Sequence, residues 1–335
     1  MTHYPSMTTS NTTSAPAKTK NRLVTLLKIL VTLVSLGYVF TQVPLSEIGE
    51  GIRQARWSWL LVAMGINFAG LVLRSIRWAI LLNGIGSTVP LPQLIKLYLV
   101  GAFFNGVLPS GFGGDVVRII EVAEDVPQAT AAGTVIVDRL SGLMGLFLLG
   151  VMIMAIEPGL FPADMLWQVG AICLLGLIGG TLLLRGWRWF PFLEKWLNKL
   201  PPKVARPFLK LIATLQALPT KSLLQALGIS LLFNFLLIGQ WTAVSRGLNF
   251  EISYWYMMGV VPIMSIALLA PSFSGLGVRE ALAPLLFAGA GLSEGQAVTL
   301  SLMVFFVKRA SELVGAPVYL ISLWRKRPQF HAIIR

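Results

Sequence analysis

The segment from residue 222 to residue 245 reads SLLQALGISLLFNFLLIGQWTAVS and contains no charged side chain. The hydrocarbon core of a bilayer is about 30 Å thick, and a helix needs ~20 apolar residues to cross it. This segment is therefore predicted to span a membrane. Five further runs qualify on the same grounds, at 23–43, 58–82, 132–156, 165–184 and 296–323. The predicted fold class is all-α, a polytopic membrane helix bundle.

Composition agrees with a chain whose surface faces lipid. Charged residues make up 12% of the 335 residues, against about 25% in soluble domains. The net charge is +13, but the basic residues cluster at the ends of apolar runs, which indicates membrane topology and not nucleic-acid binding. The single Cys173 and the two tail histidines, His3 and His331, argue against disulfides, metal sites and histidine-based catalysis. No metal, cofactor or catalytic residue is predicted, and the balance is against an enzyme.

Lysine and arginine set the predicted orientation. They are concentrated just before the first run, in the connection 185–221 and after the last run, and such segments stay in the cytoplasm. The prediction is a multi-pass protein of a bacterial inner membrane with both termini cytoplasmic. It consists of a disordered tail 1–22, a transmembrane domain 23–325 and a second tail 326–335. The segments with few or balanced charges are predicted outside, at 44–57, 157–164 and 246–253.

Two further apolar stretches, 93–124 and 254–291, are broken by proline and glycine. Residues 103–118 read FFNGVLPSGFGGDVVR, and residues 269–280 read LAPSFSGLGVRE. Both pass through Pro-Ser into a glycine-rich turn and then open a helix that carries an arginine and an acid. A broken helix exposes backbone polar groups, which a membrane tolerates only inside protein or beside a water-filled cavity. Each broken pair is expected either to re-enter on one side or to span twice.

The order of spans predicts an inverted repeat with halves 23–160 and 165–325. Each half has two spans, a broken pair and one span, and three spans reverse the orientation of the second half. In such repeats the site lies near the membrane midplane. The helices starting near Asp115 and Val278 are then expected to point positive N-termini, reinforced by Arg118 and Arg279, at a phosphate. The candidate substrate-binding residues are Asn105, Pro109, Gly113, Gly114, Asp115, Arg118, Pro271, Ser272, Gly275, Gly277, Arg279 and Glu280.

Several of these charges have alternative interpretations. Asp115, Ser272 and Ser274 are also suitable helix N-caps. Charges near the ends of spans are interpreted mainly as topology anchors that reach the interface. Charges near the middle of the last run are interpreted either as an ion pair with Glu280 or as functional groups. The anchors are Arg74, Arg77, Asp138 and Arg139, and the mid-span charges are Lys308, Arg309 and Glu312. Possible coupling or ion-pair residues are Asp138, Arg139, Lys308, Arg309 and Glu312.

The motifs resemble those of the lysylphosphatidylglycerol synthase transmembrane-region family, which contains flippase-like membrane proteins. The similarity extends over roughly residues 20–325. The motifs that carry it are Arg74-x-x-Arg77-Trp78, Phe104-Asn105-x-x-Leu108-Pro109, Gly113-Gly114-Asp115-x-x-Arg118, Asp138-Arg139, and Pro271 followed by Gly275-x-Gly277-x-Arg279-Glu280.

The resemblance implies the lipid-moving part of such proteins. Only the short tail 326–335 follows the last predicted span, so no synthase domain is expected. The main hypothesis is translocation of a phospholipid or polyprenyl-phosphate-linked lipid, with a lipid-modifying enzyme as a possible partner. One alternative is a membrane subunit or enzyme of lipid or glycolipid modification that uses Asp115, Asp138 and Glu280 as acids or bases. The other is a small-solute transporter.

Overall fold

The structure, a computed structural model, describes residues 45–107, 113–160, 163–185, 213–266 and 276–326, with isolated positions between them. These ranges are helical and contain no strand, which confirms the all-α prediction. Short 3-10 turns follow two of the helices, at Pro158–Leu160 and Ala288–Ala290. The helices are α1 Leu45–Arg53, α2 Trp57–Gly84, α3 Leu91–Val107, α4 Gly113–Val122, α5 Gln128–Ile156, α6 Ala163–Arg185, α7 Thr220–Gly247, α8 Tyr254–Ile266, α9 Val278–Phe287, α10 Glu294–Leu313 and α11 Gly315–Lys326.

Four described helices are long and apolar enough to cross a membrane: α2, α5, α7 and Trp167–Arg185 of α6. They correspond to four of the six predicted spans. The predicted span 23–43 lies outside the described ranges. The predicted span 296–323 is not one helix, because α10 ends at Leu313 and α11 begins at Gly315. A Cβ at Gly315 would lie 2.2 Å from the Leu99 carbonyl oxygen, so the break coincides with a close approach to α3.

Small residues allow the spans to pack closely. This is usual in a membrane, where the hydrophobic effect does not drive helices together. Helices α2 and α7 run antiparallel, with Gly84 against Ser222 at one end and Gly247 against Leu60 at the other. Gly145 of α5 lies against Ser230 of α7. The buried core therefore forms around α2, α5 and α7.

Both broken stretches fold as antiparallel pairs. In the first pair, the Gln93 side-chain amide of α3 donates to the Asp125 carboxylate just after α4, 2.5 Å away. In the second, the Tyr256 hydroxyl of α8 donates to the Leu286 carbonyl of α9 over 2.7 Å. Helices α4 and α9 have 10 residues each, about 15 Å of helix and half of a bilayer core. The connections at 108–112 and 267–275 lie outside the described residues, and with them Pro109, Pro271, Ser272, Ser274 and Gly275.

Candidate functional site

A cavity of about 290 Å³ lies between α2, α3, α4, α5 and α10. Its described lining holds six basic and three acidic side chains, an excess of three positive charges. Gly101, Ala102 and Asn105 of α3 complete one wall beside Tyr98. The charged lining residues are Arg74, Arg77, Arg118, Arg139, Lys308, Arg309, Asp115, Asp138 and Glu312. We call this space the basic cavity.

Asp138 is the centre of the charge network. Arg77 Nε donates to Asp138 Oδ1 over 2.7 Å, and Arg118 Nη2 donates to Oδ2 over 3.1 Å. The Tyr98 hydroxyl donates to the same Oδ2. Arg77 and Asp138 are only 4% and 1% exposed, so their interpretation as interfacial anchors was wrong: they pair inside the bundle. A buried carboxylate needs such partners to stay charged.

Aromatic rings hold the Arg118 guanidinium in place. Its Cζ lies 3.7 Å from the Tyr98 ring centroid and 4.3 Å from that of Trp78. The Trp78 indole N–H donates to the Thr134 hydroxyl over 3.2 Å, which fixes the ring. Arg118 Nε is buried and has no hydrogen-bond partner among the described residues. The arginine is therefore fixed by stacking as well as by its acidic partners.

The start of α4 forms another wall of the basic cavity. A Cβ at Gly114 would lie 1.8 Å from the Gly101 carbonyl oxygen, so only glycine permits this approach of α4 to α3. Asn105 Oδ1 accepts the Gly114 N–H over 2.8 Å and so satisfies one donor of the helix N-terminus. Asp115 is the third residue of α4 and not its N-cap. Its carboxylate pairs instead with Arg118, 3.4 Å away, and with Arg139.

Two cations of the cavity form no direct ion pair with a described carboxylate. Across the described ranges, no acidic oxygen lies within 4.0 Å of Arg74 or Lys308. Arg74 Nε donates to the Gly70 carbonyl over 3.3 Å, and its guanidinium lies over the Phe233 ring. Charge in a membrane helix costs ~2.5–3.5 kcal/mol. The basic cavity therefore holds positive charge that an anion would neutralise.

A second cavity, of about 300 Å³, adjoins the first. Arg77, Arg139 and Lys308 line both. Most other lining side chains are apolar, so we call this space the apolar cavity. They come mainly from α5, α7, α8 and α9: Gly142, Leu143, Leu146, Phe233, Asn234, Leu237, Gln240, Trp241, Met264, Ser265, Arg279 and Val304.

Arg279 and Glu280 are tied to each other and to α10. Arg279 Nη2 donates to Glu280 Oε1 over 3.0 Å and to the Ser301 carbonyl over 2.9 Å. Glu280 Oε2 accepts the Gly277 N–H over 2.7 Å, at a glycine whose φ of 85° disfavours any side chain. Glu280 thus closes the start of α9 and pairs with its neighbour, whereas Arg309 pairs with Glu312. The predicted ion pair of Glu280 with the charges of α10 is not what the described contacts show.

The two predicted arginines do not share one cavity. Arg118 lines the basic cavity and Arg279 the apolar one, and the three shared cations lie between them. The other candidates that line the basic cavity are Asn105, Asp115, Asp138, Arg139, Lys308, Arg309 and Glu312. Gly114 lies against α3, and Gly277 and Glu280 shape the start of α9. Gly113 is the buried first residue of α4.

Sequence reasoning left Arg74, Arg77, Tyr98 and Gln240 out of the candidate site. The spacing Arg74-x-x-Arg77 puts two charges on one helix face. This spacing is the sequence feature that could have identified the two arginines as site residues. Within the described ranges, no group of three or more His, Cys, Asp and Glu side chains is placed to hold a metal ion.

Comparison with known proteins identifies the family of the chain. The sequence profile described as "Lysylphosphatidylglycerol synthase TM region" matches residues 25–310. The chain belongs to this family. It is also similar to a "UPF0104 membrane protein" from Methanothermobacter thermautotrophicus, with 29% identity over 114 residues. That match spans only about a third of each protein, 33% of this chain and 34% of the relative. Family membership confirms a membrane protein of a lipid-related family.

Proposed function

We propose that this protein moves a phosphate-bearing lipid between the leaflets of the membrane. The observation that carries the proposal is the junction of a basic and an apolar cavity inside a bundle of membrane helices. A lipid headgroup is anionic, and the part of the lipid next to it is apolar. A lipid therefore matches both cavities at once, whereas a small water-soluble anion would use only the first.

Charge supports a phosphate as the bound group. The excess of three positive charges in the basic cavity exceeds the single charge of a phosphodiester and the ~1.5–2 charges of a phosphomonoester at pH 7. Asp115 and Asp138 already occupy three of the arginines. Arg74 and Lys308 remain for the ligand. A bound phosphate would compensate the positive charge that the three acids of the cavity leave.

Lys308 is the residue we assign to transfer between the cavities. Of the three cations that line both, Arg77 and Arg139 are held by carboxylates. Lys308 alone of the three lacks such a partner among the described residues, and its ammonium stands on a flexible stem. In the proposal, Lys308 follows the phosphate from the Arg118 side to the Arg279 side.

Family and orientation complete the proposal. The family name refers to a synthase of lysylphosphatidylglycerol, and lipid handling in the membrane is the property we carry over. We place the protein in a bacterial inner membrane with both termini in the cytoplasm, from its lysine and arginine distribution. We take residues 23–160 and 165–325, each with one broken pair, as the halves of an inverted repeat. We also propose a lipid-modifying enzyme as a partner.

Replacement of Lys308 tests the proposal. Proteoliposomes with fluorescent phospholipids or polyprenyl phosphates would report leaflet exchange by dithionite quenching. We expect Lys308→Gln to slow exchange about tenfold or more, because a hydrogen bond to a charged group contributes roughly 1.5–3 kcal/mol. Lys221→Gln, at an exposed lysine at the start of α7, is the matched control and should exchange like the wild type.

The outcomes separate the alternatives. Equal exchange by Lys308→Gln and wild type would remove Lys308 from the path. Failure of the folded wild type to exchange any of these lipids would overturn lipid translocation. Binding of inorganic phosphate without lipid exchange would then favour a solute transporter, and conversion of the lipid by the purified protein would favour an enzyme.

A further inference from the structure

Gln240 places at the apolar cavity a hydrogen-bond donor that no described residue uses. The residue is 3% exposed, and its side-chain nitrogen has no partner among the described residues. Two other buried polar groups of α7 are satisfied within the helix. Asn234 Nδ2 donates to the Ser230 carbonyl over 2.9 Å, and the Thr242 hydroxyl donates to the Ile238 carbonyl over 3.0 Å. A buried donor without an acceptor is destabilising, and native structures keep few of them.

The surroundings of Gln240 select the kind of acceptor. Its neighbours in the cavity lining include Leu237, Trp241 and Met264. The Arg279 guanidinium there is already neutralised by Glu280. A phosphate would be drawn to the shared cations and not to an uncharged amide among apolar groups. The amide is suited to an uncharged oxygen that lies close to the phosphate on its apolar side.

We infer that Gln240 determines lipid specificity by donating to an ester carbonyl of a glycerophospholipid whose phosphate occupies the basic cavity. This inference rests on the proposed function and narrows its substrate class. In a diacyl glycerophospholipid, ester carbonyls lie a few bonds from the phosphate on the chain side. A polyprenyl phosphate has only hydrocarbon at that place. An ether-linked phospholipid has the same shape but lacks the carbonyl oxygen.

The test compares ester- and ether-linked phosphatidylglycerols with the same chains and the same fluorescent label. Leaflet exchange is measured at low lipid fraction in the proteoliposome assay. Wild type is expected to exchange the ester lipid about tenfold faster, the factor that corresponds to one net hydrogen bond. Gln240→Met, which keeps the size of the side chain without the donor, should bring the ratio to about one. Gln225→Met, at an exposed glutamine of the same helix, should leave it unchanged.

The ratio of the ester-lipid to the ether-lipid exchange rate does not depend on how much protein is folded. A variant that is partly misfolded therefore still gives a valid ratio. Equal rates for both lipids with wild type, or an unchanged ratio in Gln240→Met, would overturn the inference while lipid translocation stands. The same follows if Gln240→Met changes only the preference for phosphatidylglycerol over phosphatidic acid, since the donor would then serve a headgroup hydroxyl. Absence of exchange of every lipid by wild type would overturn the proposed function, and this inference with it.

Discussion

A single carboxylate, that of Asp138, pairs with two arginines and accepts a hydrogen bond from Tyr98. Arg77 and Arg118 come from different helices, so the carboxylate also links α2 to α4 through α5. The pair of arginines would repel each other without it. The network therefore serves two purposes, since it holds the helices together and fixes the guanidinium groups that line the basic cavity.

Asp138→Ala should destabilise the protein strongly. Removing one partner of a buried ion pair leaves uncompensated charge and costs ~3–5 kcal/mol. The expected result is a lower midpoint of thermal unfolding in detergent, with loss of lipid exchange. Glu157→Ala, at an exposed acid just after α5, is the control and should shift the midpoint little. Equal midpoints for the two variants would show that the Asp138 network does not stabilise the fold.

At the same scale, the sequence predicted one half of the charge network better than the other. Asp115 and Arg118 were identified because they follow a broken helix, a context that needs polar surroundings. Arg77 and Asp138 lie near the ends of predicted spans, where a charge can reach water. Position along a span does not tell whether such a side chain faces lipid headgroups or a neighbouring helix. The structure shows the latter.

At the scale of elements, the basic cavity depends on how closely α3 and α4 approach. The contact is made by backbone at Gly101 and Gly114. Gly114→Ala would bring a methyl group to 1.8 Å from a carbonyl oxygen, so α4 must move away and take Arg118 with it. We expect a lower unfolding midpoint and at least tenfold slower lipid exchange, by analogy with overpacking costs of ~1–3 kcal/mol.

Gly228→Ala is the matched control for this prediction. A Cβ at this glycine of α7 meets nothing within 4 Å, and the variant should fold and exchange lipid like the wild type. If Gly114→Ala behaves in the same way, the contact between α3 and α4 is less tight than the structure indicates.

Helix lengths were predicted better than helix contacts. The runs 58–82, 132–156, 165–184 and 222–245 all lie in long helices, because apolar length alone identifies a span. The run 296–323 looked equally continuous. Its division before Gly315 reflects the approach to the backbone of α3, a contact between residues far apart in sequence that average hydropathy does not register.

At the scale of the whole molecule, the orientation of the bundle is open to direct measurement. Cys173 is the only cysteine of the chain and is fully buried, so an introduced cysteine can be labelled selectively. Glu251→Cys should react with a membrane-impermeant maleimide in intact cells, since residues 246–253 are predicted outside. Asp125→Cys should react only after permeabilisation. Both side chains are exposed, so burial does not affect the comparison. The opposite labelling pattern would reverse the proposed orientation.

The meeting of the two cavities at Arg77, Arg139 and Lys308 has an evolutionary consequence. Beyond these cations, α3 and α4 line only the basic cavity and α7, α8 and α9 only the apolar one, whereas α5 and α10 line both. A substitution in one of these five helices changes the lining of one cavity and leaves the lining of the other intact. Descendants of such a protein could therefore change the headgroup they accept without losing the tails they recognise, or the reverse, while the shared cations stay constant. Specificity for a new lipid would then arise by changes in the lining of one cavity at a time.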